Sequence, residues 1–288
     1  MSKIILSAFA DEYSSSFDKQ IAVLKENGFD MIEPRFIDGV NVSDLSFDVA
    51  KSVHARLEDN NLKVSSLGSP LGKIKLDDDF TAHLEKVKRT VEIAHILETD
   101  KIRMFSFYSP EGKDIKDCKE QVVDYLGKML DIACDAGVKL CHENEAKIYG
   151  ESPENCLELL KIFNGKLRCV FDMGNFVLDG YKPFPTGYDM LKDYIEYFHI
   201  KDSLSAGAVV PAGKGEACVK EILTQYKNDF NRDFVITLEP HLQTFDGLNM
   251  LVGKSFDNPY KFNTPEEAFV EGIKSLKGIL WKVFKKIN

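Results

Sequence analysis

The sequence predicts an α/β protein folded as a single-domain (β/α)8 TIM barrel spanning residues 1–288. Three observations carry this. Eight short apolar runs recur roughly 30–40 residues apart, each followed by a stretch with helical periodicity. Such regular alternation argues for parallel strands joined by right-handed crossovers, and eight units of this size fit one barrel without a second domain. The last four runs each end abruptly in ligand-type side chains, as strands do when their C-terminal ends carry an active site. A doubly wound open sheet is the competing architecture. It would carry a glycine-rich turn after its first strand, and Phe9-Ala-Asp-Glu-Tyr13 is not one.

In chain order, the first strand is Ile4–Phe9, ending at Asp11-Glu12 and a serine run that can cap a helix over 17–27. The second strand starts at Met31 and ends near Glu33, because Pro34 cannot donate to a central ladder. A helix from Ser43 or Asp44 to about Asn60 points Val49, Val53 and Leu57 inward. Strand three spans 62–67, and a helix over 79–97 follows. Strand four spans 101–108, and a helix over 116–136 stops at Gly137. Strand five runs through Leu140 into His142-Glu-Asn-Glu145, and Ser152-Pro153 opens the next helix with a cap and proline at its first position. Strand six is 167–172. A Gly- and Pro-rich loop over 173–184 and a helix over 188–194 lead to strand seven, 197–201. A glycine-rich loop, a helix over 217–230 and strand eight, 234–238, complete the alternation. The last helix begins at Thr264-Pro265, and its Phe-rich face and Trp281 read as core. Residues 242–263 lack a clear element. A long loop at the functional end of a barrel suits a lid or a subunit contact.

A net charge of −9 disfavours a nucleic-acid partner held by a broad basic surface. No apolar run reaches the ~18 residues of a membrane span, and the N-terminal run is too short for a signal segment, so no membrane partner and a cytoplasmic location are expected. The six cysteines are scattered without a CxxC pair, which favours reduced buried thiols.

On a barrel, Glu143, Asp172, His199 and Glu239 close strands five to eight and converge on the axis. Three carboxylates without a cation repel one another, and with the imidazole they form a mixed O/N site that suits one divalent ion such as Mn2+, Mg2+, Co2+ or Zn2+. Glu33, Arg35, Lys73, Lys201 and Asp202 follow strand ends and are candidates either to bind sugar hydroxyls or a phosphate or to make structural salt bridges inside the barrel rim. His142 and His241 flank ligands and are candidates for supporting partners or ordinary rim residues, and Glu145 competes with Glu143, since alternation places both on one face. His54, His83 and His95 lie on helices and are expected at the surface or in packing.

Cys141-His-Glu-Asn-Glu145, Phe171-Asp-Met-Gly-Asn175, Phe198-His-Ile-Lys-Asp202 and Leu238-Glu-Pro-His241 resemble the four metal-site motifs of the xylose isomerase-like TIM-barrel superfamily. Ser7–Glu12, Ser69–Lys73 and Arg103–Phe107 resemble its sugar phosphate isomerase/epimerase subset. The resemblance covers nearly the whole chain. It implies that Glu143, Asp172, His199 and Glu239 bind one metal, which settles Glu143 over Glu145. It also implies that Glu143 and Glu239 move a proton on opposite sides of a small sugar, keto-sugar or sugar phosphate through a cis-enediolate. A dehydratase that expels a β-hydroxyl, or a sugar-binding barrel without turnover, are the alternatives. Members are often dimers or tetramers, which admits a homo-oligomer. Two positions depart from the epimerase pattern: Asn175 stands where a histidine is usual, and Ser203-Leu-Ser205 where an arginine is usual. Asn175 is therefore a candidate substrate contact of a different kind. The histidines that endonuclease IV needs after its early strands are absent, since those strands end here in Glu33, Ser69 and Phe107.

Overall fold

The computed structural model describes residues 3–242 and 260–284. The barrel wall is built in chain order from β1 (Ile4–Ala8), β2 (Met31–Ile32), β3 (Lys63–Val64), β4 (Lys101–Met104), β5 (Lys139–Glu143), β6 (Leu167–Asp172), β7 (Ile195–Ile200) and β8 (Phe234–Leu238). Six of them form a continuous parallel sheet in the order β1-β8-β7-β6-β5-β4. The short strands β2 and β3 pair in parallel and close the ring. On one side the backbone N–H groups of Asp30 and Glu33 donate to the carbonyls of Leu6 and Ala8. On the other, Leu67 N–H donates to Lys101 O and Arg103 N–H to Leu67 O. Around the ring lie α1 (Phe17–Glu26), α2 (Phe47–Asp59), α3 (Phe80–Ile96), α4 (Lys119–Asp135), α5 (Pro153–Ile162), α6 (Met173–Leu178), α7 (Tyr188–Leu191), α8 (Val219–Asp229) and α9 (Pro265–Phe284).

Capping fixes several helix starts. The Ser46 hydroxyl accepts from Val49 N–H, Asp79 from Ala82 N–H and Ser152 from Asn155 N–H, the last with Pro153 at the first helical position. Ser46 rather than Ser43 or Asp44 opens α2, because Val42–Asp44 form a separate 3-10 turn.

One apolar core lies between the strands and the helices, and a much smaller cluster, Cys141, Val170 and Tyr197 with Val235, fills the barrel interior. Strand alternation then decides where the site lies. Two residues on from Cys141, Val170 and Tyr197 stand Glu143, Asp172 and His199, on the same inward face one layer higher.

Several sequence expectations change. β3 and β4 are shorter than the runs 62–67 and 101–108. Beyond Met104, Phe105 and Phe107 N–H donate to the carbonyls of Leu71 and Gly72, so the loop after β3 takes over the ladder. The stretch 173–184, expected as a loop, starts with helix α6, capped by Asp172. Val49 is 45% exposed while Val53 and Leu57 are buried, so the inward face of α2 is narrower than expected. Trp281 is 60% exposed and not core: α9 buries Phe269, Ile273, Leu276, Ile279 and Val283, and Trp281 falls on the other side of that helix. The lid or subunit contact expected over 242–263 falls mainly on residues 243–259, outside the described residues. Among the described residues, no helix is long and apolar enough to cross a membrane.

Candidate metal centre

Glu143, Asp172, His199 and Glu239 come from the ends of β5 to β8, as their positions in the sequence predict, and each is at most 3% exposed. One ligand atom from each lies within 4.8 Å of the others. His199 Nδ1 is 2.9 Å from Glu143 Oε1 and 3.4 Å from Glu239 Oε2, so that nitrogen faces the cluster. Its Nε2 points the other way, 3.2 Å from Glu33 Oε2.

Three cations hold the carboxylates. Arg103 Nη1 donates to Glu143 Oε2 at 3.2 Å, and Arg35 Nη1 to Glu239 Oε1 at 3.2 Å. Lys201 Nζ donates to Asp172 Oδ2 at 2.9 Å, Asn175 Oδ1 at 3.0 Å and Glu239 Oε2 at 3.2 Å. These contacts separate the acids electrostatically. Burial raises the Glu143 carboxyl, but His199 and Arg103 outweigh it and bring it down to about 2. Burial likewise opposes ionisation of Glu239, and Lys201, His241 and His199 override it, holding that carboxyl well below the usual range. Asp172 goes the other way: burial, reinforced by Glu239 and Glu143, outweighs Lys201 and pushes it up to about 6. Burial lowers the His199 imidazole, and Glu143 and Glu33 more than reverse this.

The donor set fits a divalent ion. Three carboxylates and one imidazole nitrogen converge, an oxygen-rich set with one borderline nitrogen. The connected network of Asp11, Glu12, Glu33, Glu143, Asp172 and Glu239 also holds three more carboxylates than the permanent cations Arg35, Arg103 and Lys201. An excess of buried negative charge favours a further cation.

The substrate-binding candidates separate. Lys201, Asn175 and Arg35 touch the cluster. Asn175 also donates to Asn144 O, while Asn144 in turn bonds both backbone groups of Asp172, so α6 and β5 lock this carboxylate. Glu33 lies beneath the cluster and has no exposed surface: its oxygens engage Tyr197 Oη at 2.9 Å, Thr237 Oγ1 at 2.7 Å and His199 Nε2. It orients the histidine and leaves no room for a substrate contact. Asp202 is also drawn away. Its carboxylate accepts from the backbone N–H groups of Ser203, Gly213, Gly215 and Ala217 and so ties down the loop after β7. A side chain at Gly215 would come within 2.3 Å of that carboxylate. Lys73 reaches the rim, paired with Glu145 at 2.8 Å and lying over the Phe105 ring.

His241 lies against the cluster, with Nδ1 3.1 Å from Glu12 Oε1 and Nε2 3.6 Å from Glu239 Oε1. His142 does not: its Nε2 bonds Ser106 Oγ at 2.9 Å on the outer face of β5. His83 is a packing residue that accepts from Gly72 N–H. Two contributors carried no role in the sequence reading. Arg103 was visible as a charge in the middle of strand four, and Glu12 as an acid just past β1, but nothing local ties either to strands five or eight.

A family model described as xylose isomerase-like TIM barrel matches residues 21–277. No curated protein matches the chain. Among solved structures, a D-tagatose 3-epimerase-like protein is 18% identical with a TM-score of 0.75, over 99% of this chain and 100% of that one. The IOLI protein with a bound zinc atom is 19% identical with a TM-score of 0.72, over 97% and 99%. The probable 3-DHS dehydratase AsbF from Bacillus anthracis is 18% identical with a TM-score of 0.71, over 96% and 99%. With the family model spanning most of its length, the chain belongs to the xylose isomerase-like TIM barrel family.

Proposed function

We propose that the chain is a divalent-metal-dependent isomerase or epimerase of a small sugar, keto-sugar or sugar phosphate. The observation that carries this is the convergence of Glu143, Asp172, His199 and Glu239 at the C-terminal ends of four adjacent strands. These four residues would hold one ion, which when bound polarises the substrate carbonyl and the adjacent hydroxyl and so acidifies the neighbouring C–H.

The chain's own residues supply the rest. Glu143 and Glu239 approach from β5 and the end of β8, and they are the proposed pair that removes and returns the proton. Each has one oxygen turned toward His199 and the other held by an arginine, Arg103 for Glu143 and Arg35 for Glu239. The arginines fix the carboxylates in orientation, which a proton transfer between positioned groups requires. His199 and Arg103 keep Glu143 ionised, and Lys201, His241 and His199 do so for Glu239, so each is ready to accept a proton but weak as a base, and exclusion of water on substrate binding must raise its strength. Lys201 and Asn175, side by side above Asp172, are the proposed contacts for substrate oxygens, with Lys73 at the rim and Arg35 beside Glu239 for an anionic end.

A lyase reading shares the first proton abstraction. AsbF is described as a probable dehydratase, and Asn175 replaces the histidine usual in epimerases, which favours keeping that reading. Incubating the Mn2+-loaded protein in D2O with a panel of ketoses, their phosphates and keto-polyols decides among the readings. Deuterium uptake at the carbon beside the carbonyl with conserved mass otherwise supports the isomerase or epimerase. Uptake with loss of water moves the assignment to a lyase. No exchange with any member of the panel overturns catalysis and leaves a sugar-binding barrel.

A further inference from the structure

Lys201 is 6% exposed, and its ammonium has three acceptors: Asp172 Oδ2, Asn175 Oδ1 and Glu239 Oε2. An ammonium carries three N–H donors, so these partners saturate it. Two of the three oxygens belong to carboxylates of the metal-binding set. The lysine is held there by design of the backbone: Gly174, at the start of α6, lies so close that an added side chain would sit 2.7 Å from Lys201 Cγ and 2.8 Å from its backbone oxygen. Helix α6 therefore packs directly on Lys201 and leaves it little freedom to sit elsewhere.

An ammonium and a divalent ion bonded to the same buried carboxylates repel each other within a few ångströms, where solvent screens little. We infer that Lys201 is an internal counter-ion: it holds Asp172 and Glu239 together in the metal-free protein, and a divalent ion binds only by displacing it from at least one of them. This rests on the metal reading of the site given above. Lys201 then sets metal affinity, lowering it in exchange for a site that stays assembled when empty. The displaced ammonium keeps Asn175 beside it and becomes available to a substrate oxygen only once the ion is in place, which couples substrate contact to metal loading.

The test is calorimetric titration of chelator-treated wild type, K201M and K201R with Mn2+, with free Mn2+ followed by its EPR signal and the fold by circular dichroism. K201M is expected to bind Mn2+ at least 10-fold more tightly than wild type and to melt at a lower temperature when metal-free, while K201R stays close to wild type in affinity. K201Q, which keeps a hydrogen-bond donor without the charge, is read in the same way if K201M does not fold. Wild-type-like or weaker Mn2+ binding in the neutral variants, with wild type itself binding, overturns the counter-ion role and leaves the metal reading standing. Failure of wild type and neutral variants alike to bind Mn2+ overturns both.

Discussion

Glu33 and His199 meet across the barrel interior, with Oε2 of the glutamate 3.2 Å from Nε2 of the imidazole and neither side chain exposed. The glutamate comes from the end of β2 and the histidine from β7, so the contact spans the ring. With Nε2–H donating to Glu33, the Nδ1 lone pair is left for a cation among Glu143, Asp172 and Glu239. A carboxylate behind a ligating imidazole fixes both tautomer and ring orientation. Glu33→Gln should therefore weaken metal affinity about 10–100-fold while leaving the four ligands intact. A metal titration of this variant checks it, and unchanged affinity would show that Glu33 does not tune the histidine for a metal.

His142 makes a prediction about stability. It is buried, its ring bonds Ser106 Oγ, and burial lowers its pKa to about 4 from an ordinary 6.5. The unfolded chain thus binds this proton more readily than the folded one between those values. The sign follows: the contribution is intact above pH 6.5 and is lost as pH falls toward 4. At 1.36 kcal/mol per unit the effect is roughly 3 kcal/mol. Urea unfolding of wild type and His142→Gln across this window should show a smaller loss in the variant. Equal losses in the two proteins would contradict the assignment.

How far the site could be read from sequence depends on the distance over which each residue's partners lie. Glu143, Asp172 and Glu239 announce themselves because each follows an apolar strand, and parity alone aims them at the axis. Glu33 satisfies the same rule, and Asp202 follows an apolar strand with the parity opposite to His199; both do something else. What separates them is the company they keep: Tyr197, Thr237 and His199 surround Glu33, and four backbone N–H groups surround Asp202. None of those contacts is encoded near Glu33, and the Asp202 contacts depend on a loop conformation that periodicity does not report. Helix α6 was hidden for a local reason. Gly174 and Asn175 are turn-forming residues, and only the cap supplied by Asp172 Oδ1 to Asn175 N–H and the packing on Lys201 make them helical.

Asp202 yields a prediction in turn. Removing the acceptor of four backbone N–H groups strands those donors in a partly buried loop. Asp202→Ala should cost about 2–4 kcal/mol of stability, and Asp202→Asn less, since one oxygen remains. Denaturant unfolding measures both. A loss below about 0.5 kcal/mol for the alanine variant would show that the loop does not depend on this carboxylate.

Metal binding itself should depend on pH. The ligating forms are the Asp172 carboxylate and the neutral His199 imidazole, whereas Asp172 is pushed up to about 6 by burial and His199 is raised by Glu143 and Glu33. Protons and metal compete for these groups, so affinity should rise as pH increases through 6, with proton release on binding. Titrations in two buffers of different ionisation enthalpy detect that release. PH-independent affinity between 5 and 8 would place the ion elsewhere.

The central claim is that Glu143, Asp172, His199 and Glu239 act together as one metal centre. Elemental analysis of the purified protein after Mn2+ loading and desalting, alongside Asp172→Ala, tests it most directly. One divalent ion per chain in the wild type and none in the variant is the predicted result. No ion in the wild type, or an undiminished ion in the variant, would contradict it.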